Sequence, residues 1–329
     1  MTASQPRIVC LGAGRMGRGI AVAFAYAGHA VTLVDVKVSR TDEQFAELEA
    51  AALGEIKKTL ATLTRCCVIT DREAEKIIER VSVVSQSCSS EQLASAEILF
   101  EGVPEIVDLK RDVLAEASQL VRQDVIIAST TSTILVDDLS GAVKHPERFL
   151  NVHWLNPAYL IPLVEISPGK ATDPTITARV KALLEGIGKV PVVCAATPGF
   201  IVPRIQALAM NEAARMAEEG VASAEEIDKA IRYGFGFRYA VLGLLEFVDW
   251  GGGDILYYAS RYLENALGSE RYRAPEIISK NMQEGRIGLR TRAGFLDYSR
   301  LDIDAYREQR LAELVNMLRH FGLARPPVI

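Results

Sequence analysis

The stretch RIVCLGAGRMG, residues 7–17, constrains the fold of this chain more than any other. Its first half is an apolar, β-branched run that reads as a buried strand. Its second half sets glycines at 12, 14 and 17 in GxGxxG spacing. An apolar helical pattern, GIAVAFAYAG, follows at once, and a second strand, AVTLVD, ends on Asp35. A bare GxGxxG arises by chance in many glycine-rich loops, but closing a strand and opening a helix gives it a mechanism. Gly12 allows the tight turn, Gly14 lets backbone approach a pyrophosphate, and Gly17 permits close helix–strand packing. Amides at the helix start then favour bound phosphates. The cofactor site this predicts comprises Gly12, Gly14, Met16, Gly17 and Asp35. Asp35 suits the adenosine ribose hydroxyls and repels a 2′-phosphate, so NAD is expected over NADP, with Lys37 and Arg40 softening that preference. A turn of the same shape without a cofactor is the alternative.

The alternation continues downstream. Phe45, Leu48, Leu53, Ile56, Leu60 and Leu63 recur near helical spacing, and Thr70 with Glu73 forms the capping box of a second helix. Together these predict a helical hairpin inserted before the strand VSVVS. The runs EILFEGV, VIIAST, FLNVHW, LVEI and VPVVC read as further strands. Strands alternating with helices imply a largely parallel sheet covered on both faces. Beyond ATPGF, residues 196–200, only helical patterns follow, with RIQALAMNEAARMAEEG the clearest. The expected fold class is α/β: a Rossmann-type doubly wound sheet with a helical hairpin over residues 1–196, then an all-α domain over 197–329.

A length of 329 residues accommodates two such domains. A net charge of −5, with no basic stripe, argues against a nucleic-acid partner. Five cysteines without CxxC spacing fit reduced thiols and predict neither a disulfide frame nor a metal site. The opening MTASQPRIV lacks the pattern of a signal peptide, and no apolar run reaches membrane-spanning length. A soluble cytoplasmic protein is expected.

Only four histidines occur, and one begins HWLNPAYLIPLVEI, which runs from His153 to a lone acid, Glu165, and on to Ile166. A single histidine among apolar residues is more often a satisfied core group than a catalyst, so this stretch alone leaves both readings open.

FEGVPEIVDLK, ASTTSTI, HWLNPAYLIPLVE, TPGFIVPR and GLRTRAGFLDY stand in the order found in NAD-dependent 3-hydroxyacyl-CoA dehydrogenases. The chain resembles that family from Arg7 to Tyr298. The resemblance implies oxidation of a 3-hydroxyl to a ketone in a cleft between the two domains, and a homodimer formed through the helical domain. It implies that His153 is the general base and Glu165 its orienting partner. Ser132 becomes the substrate-positioning hydroxyl, and Asn156 the asparagine of HxxNP. Glu105 and Lys110 fall at positions approaching the nicotinamide ribose, and Lys280 at a cofactor-side lysine. The chemistry is coherent: a neutral imidazole, with an ordinary pKa of about 6.5, takes the hydroxyl proton as the hydride leaves. A carboxylate on the far ring nitrogen fixes the tautomer, and Ser132 and Asn156 hydrogen-bond the reacting oxygen. From the residues alone, Ser132 also reads as a turn, Asn156–Pro157 as a turn dipeptide, and Glu165 as a charge on an edge strand.

Three departures bear on substrate. Pro203 and Thr130 stand where acyl-CoA enzymes usually carry asparagine. Arg238 and Tyr239, in GFGFRYAVLG, resemble instead the lambda-crystallin and carnitine dehydrogenase branch, whose substrates carry a free carboxylate. Arg238 is therefore a candidate carboxylate clamp, or else a packing residue paired with an acid such as Glu246. The hairpin offers Lys57, Lys58 and Arg65 as a modest basic cluster for CoA. The leading expectation is a 3-hydroxyacyl-CoA substrate. The alternatives are the same chemistry on a free hydroxy carboxylate such as carnitine, L-gulonate or a hydroxymethyl carboxylate, and a non-catalytic NAD-binding structural protein.

Overall fold

The structure, a computed structural model, describes residues 6–37 and 40–329. Among them are eight strands: β1 (Ile8–Leu11), β2 (Val31–Asp35), β3 (Val81–Ser85), β4 (Ile98–Glu101), β5 (Ile126–Ser129), β6 (Phe149–Trp154), β7 (Leu163–Pro168) and β8 (Val190–Val193). They form one sheet in the order β3-β2-β1-β4-β5-β6-β7-β8. Every pairing is parallel except β6 with β7. Flanking helices are α1 (Arg15–Tyr26), α2 (Asp42–Arg65), α3 (Asp71–Ile78), α4 (Ser90–Ser95), α5 (Val107–Leu120), α6 (Val136–Ser140) and α7 (Pro174–Gly186).

The period of two explains why both faces of this sheet are covered. Ile8, Cys10, Ile98 and Phe100 point to one side and pack with Ile20 and Phe24 of α1 and Ile56 and Leu60 of α2. Their neighbours Val9, Leu11 and Leu99 point to the other, against Leu93 of α4, Leu114 of α5 and Leu139 of α6. Each large apolar side chain buried this way contributes about 1.5–3 kcal/mol before entropy is counted. The expected hairpin is α2 and α3. Its long helix buries Ala52, Ile56, Leu60 and Leu63 along one face. Capping boxes start both helices, Thr41 with Gln44 and Thr70 with Glu73. Strand order reverses between β1 and β4, and a crevice opens beyond the carboxyl ends of strands at such a point.

Backbone proximity divides the chain into two compact units, Met1–Ala209 and Met210–Ile329. The division falls later than residue 196, where the strand pattern stops, because the residues opening α8 (Val202–Glu218) are bonded to β7.

The second unit contains α9 (Ala224–Ala230), a π-helical turn (Ile231–Gly236), α10 (Phe237–Tyr239), α11 (Leu244–Gly251), α12 (Gly253–Leu267), α13 (Glu276–Gln283) and α14 (Ile303–His320). Asp249 of α11 is its buried organiser. The carboxylate accepts the amides of Phe295 at 2.9 Å and Leu296 at 2.8 Å and the Tyr298 hydroxyl at 3.2 Å. The motif GLRTRAGFLDY is thus a wrap around one carboxylate. Gly294 is obligatory there, since a Cβ would sit 2.0 Å from Asp249 Oδ1. No described helix is long and apolar enough to cross a membrane.

Candidate active site

Beyond the carboxyl ends of β1 and β4, the glycine turn has the geometry its spacing predicts. Gly12 adopts φ +103°, a conformation side chains rarely take. A Cβ on Gly17 would lie 2.1 Å from the Gly12 carbonyl oxygen, so α1 reaches the strand only as glycine. Around a Cβ on Gly14 nothing lies within 4 Å, which leaves backbone open to a phosphate. No acid stands in the first turn of α1 to oppose one. The Met16 side chain is half-buried and packs on the core. At the end of β2, Asp35 is buried and accepts Arg40 Nε at 2.6 Å and, more weakly, the Lys37 amide at 3.4 Å. A turn, a helix start and a strand-end acid in this order fit a dinucleotide. NAD is the cofactor, and when bound it supplies a hydride acceptor.

At the end of β4 lies a buried group that sequence reasoning passed over. Glu101 and Lys110, 0% and 1% exposed, pair at 2.8 Å. Glu101 also accepts the Val103 amide and the Ser129 hydroxyl. Lys110 reaches Glu101, the Val103 carbonyl at 3.1 Å and Glu105 at 3.4 Å. Lys110 is thus buried between Glu101 and Glu105, hydrogen-bonded to the first and ion-paired with the second. The signal was present in FEGVPEIVDLK: a carboxylate closing an apolar strand.

Glu105 Oε1 gathers the loop that follows β5. It accepts the Thr131 hydroxyl, the amides of Ser132 and Thr133, both at 3.1 Å, and the Thr133 hydroxyl at 2.8 Å. Burial alone would raise its pKa, yet the hydroxyls of Thr131 and Thr133, the Lys110 charge and the Thr133 amide outweigh that and hold it below the usual carboxylate range. The loop so held presents Ser132.

Ser132 Oγ lies 3.1 Å from His153 Nε2, and His153 Nδ1 lies 2.8 Å from Glu165 Oε2. His153 sits in β6 and Glu165 in β7, directly opposite in the antiparallel register. Both are buried, at 4% and 1% exposure. Glu165 is not on an edge strand, because β8 pairs beyond it. Its Oε1 accepts the amides of Ile201 at 2.9 Å and Val202 at 2.8 Å. Burial would raise the Glu165 pKa, but His153 and these two amides prevail and keep it ionised, below the usual range. The network then assigns the tautomer: an ionised carboxylate only accepts, so Nδ1 donates to it and Nε2 is the acceptor, toward Ser132.

The turn delivering those amides is strained. Gly199 and Phe200 both have positive φ, +75° and +44°, and such a conformation costs a non-glycine residue on the order of 1–3 kcal/mol. The Phe200 ring lies 5.4 Å from the imidazole centroid, tilted 35°. Pro203 falls in the first turn of α8, where a missing N–H costs nothing. Asn156 is not joined to this group. It lies three residues beyond His153 and, with Arg15, Arg18, Glu55, Thr59 and Tyr159, lines a cavity of about 380 Å³. Thr130 is buried at the end of β5.

In the second unit, Arg238 donates Nε to the Gly234 carbonyl at 2.9 Å and stacks 4.7 Å over Phe247. It does not pair with Glu246, which accepts Tyr306 and Arg310 instead. Lys280 is exposed and 3.9 Å from Glu284. Among the described residues no group of three or more His, Cys, Asp or Glu is placed to hold a metal ion.

The sheet order, the glycine turn and a buried histidine–carboxylate pair define an NAD-dependent oxidoreductase. Residues 7–197 match the family description "3-hydroxyacyl-CoA dehydrogenase, NAD binding domain", and residues 199–298 the corresponding C-terminal domain. The chain belongs to the 3-hydroxyacyl-CoA dehydrogenase family. It is 30% identical to a 5-formyl-3-hydroxy-2-methylpyridine 4-carboxylate 5-dehydrogenase of Mesorhizobium japonicum, over 95% of this chain and 97% of that one. It is 31% identical to a 3-hydroxybutyryl-CoA dehydrogenase of Bradyrhizobium diazoefficiens, over 91% and 97%. In structure it resembles a 3-hydroxyacyl-CoA dehydrogenase of Archaeoglobus fulgidus, with a TM-score of 0.76 at 32% identity, covering 97% of this chain and all of that one.

Proposed function

We propose that this protein oxidises the 3-hydroxyl of a 3-hydroxyacyl-CoA to the ketone, reversibly, with His153 as the general base. The observation that carries this reading is the relay Ser132–His153–Glu165, whose outward nitrogen, Nε2, is an acceptor. The substrate O–H donates to Nε2 in place of the Ser132 hydroxyl. As the C–H hydride departs to the cofactor, the O–H proton passes to Nε2, and Glu165 stabilises the imidazolium that results. Ser132 then hydrogen-bonds the product carbonyl oxygen, with Asn156 as a second donor. Glu105 meets the cofactor ribose, with Lys110 behind it, and Lys280 and Arg238 act from the helical domain, 197–329. In the reverse direction the imidazolium is the acid.

A second reading, the same chemistry on a free hydroxy carboxylate, is favoured by specific observations. Pro203 offers no side-chain donor. Among the hairpin cations, Lys58 stands 3.9 Å from Glu55, whose carboxylate lies on the cavity beside Asn156, and Arg65 donates to Thr62. Arg238 keeps its Nη groups for a carboxylate. The experiment follows NADH absorbance with 3-hydroxybutyryl-CoA beside 3-hydroxybutyrate, carnitine, L-gulonate and a hydroxymethyl pyridine carboxylate. Turnover of the thioester supports the first reading, and turnover of a free acid alone replaces it with the second. No reduction of NAD by any of them contradicts both.

The protein is proposed to act in the cytoplasm as a homodimer. Ile255, Tyr258 and Tyr262 of α12, 62%, 63% and 71% exposed, are the apolar side chains offered to a second copy. Light scattering giving the mass of a single chain contradicts the dimer.

A further inference from the structure

We propose that Phe200 is a positioning residue for the His153–Glu165 pair, acting through both its backbone and its ring. The inference rests on the general-base reading of His153 and asks what keeps that base aimed. Direct opposition across β6 and β7 brings the two side chains together, but a glutamate has three rotatable bonds, and register alone does not fix its carboxylate. Oε2 is spoken for by His153, so orientation depends on what holds Oε1. Two consecutive amides hold it, those of Ile201 and Val202.

These amides stand at the start of α8, where N–H groups have no partner within the helix and can converge on one anion; the turn before them sets where they point. That turn holds the left-handed pair Gly199 and Phe200. The turn is closed by Phe200 N–H to the Thr197 carbonyl at 3.1 Å and Arg204 N–H to the Gly199 carbonyl at 3.0 Å. A phenylalanine at positive φ is disfavoured by its own Cβ, so something must compensate for it. The compensation is visible: the side chain is 4% exposed and its ring packs beside the imidazole. Ring burial holds the strained backbone, the backbone aims the amides, and the amides fix the carboxylate that fixes the histidine. Cys194, close enough to Glu165 for that charge to raise its thiol pKa further after burial has done so, stays a neutral neighbour.

The test compares Phe200→Leu, which keeps apolar volume but loses the aromatic face, with Phe200→Gly, which accepts positive φ without strain but removes the ring. Phe200→Tyr is the conservative rescue. Each holoenzyme is measured for kcat, for both KM values, and for the downfield proton resonance of the His153 Nδ1–H, assigned by its disappearance in His153→Gln. The expected result is a fall in kcat of about 10- to 100-fold in the Leu and Gly variants, the scale of a small misplacement of a reacting group. KM for NAD should stay within about twofold, the resonance should shift or vanish, and the tyrosine variant should restore both. Wild-type kcat and an unmoved resonance in either folded variant would overturn the role of Phe200. If His153→Gln is inactive in the same experiment, the general base survives that failure; if His153→Gln turns over normally, the base assignment itself falls.

Discussion

His153 and Glu165 occupy directly opposed positions of the antiparallel pair β6–β7, with Nδ1 and Oε2 2.8 Å apart and both side chains buried. Among the described strands, the one antiparallel pairing therefore carries this pair. Opposed residues on one face of such a pair have Cβ atoms about 5 Å apart, so the strands bring the two side chains together, and the Ile201 and Val202 amides then hold the carboxylate.

Acid stability should report the two carboxylates of this site. Glu165 and Glu105 are both held below the usual range in the folded protein, against burial, by the hydrogen bonds and charges described above. A depressed folded pKa means stabilisation present above the unfolded value, about 4.3 for glutamate, and lost as pH falls through the folded value. Urea midpoints measured from pH 7 down to pH 3 should fall less steeply in Glu165→Gln and Glu105→Gln than in the wild type. Parallel curves would contradict the shifts.

The buried pair Glu101–Lys110 should be costly to break and cheap to replace. Lys110→Met leaves Glu101 as a buried charge without its cation, and loss of about 3–5 kcal/mol is expected. The double variant Lys110→Met with Glu101→Leu should recover much of that. Equilibrium urea unfolding of the three proteins checks both statements, and a single variant as stable as the wild type contradicts the first.

Gly294→Ala should loosen the helical unit. The added Cβ falls 2.0 Å from Asp249 Oδ1, an atom buried and already bonded to an amide. Overpacking of this kind costs about 1–3 kcal/mol. Thermal melting followed by Trp250 fluorescence should show the loss, and an unchanged transition would contradict the wrap around Asp249.

Much of this was legible before any coordinates. The glycine turn, the hairpin and the strand alternation rest on local signals, periodicity and capping, and all three are present. The register of β6 against β7 is not local, so sequence alone left His153 between core and catalyst until motif order weighed in. The burial of Lys110 was hidden for a related reason: spacing from Glu105 puts the two near each other but cannot say which is buried, and Glu101 decides that. Phe200 left no sign beyond its glycine neighbour, because a strained φ is invisible in a residue type that seldom adopts one. Asn156, three residues beyond His153, lines a cavity with Arg15, Arg18 and Tyr159, a placement that no local signal in the sequence announces.

The proposed transfer of the substrate proton to His153 Nε2 is tested by turnover of His153→Gln beside NAD binding by titration of intrinsic fluorescence, using whichever alcohol in the panel the wild type oxidises. The expected result is a loss of kcat of at least about 100-fold, within the span typical of general-base catalysis, with NAD affinity unchanged. Turnover near the wild-type rate in a variant that still binds NAD would contradict it.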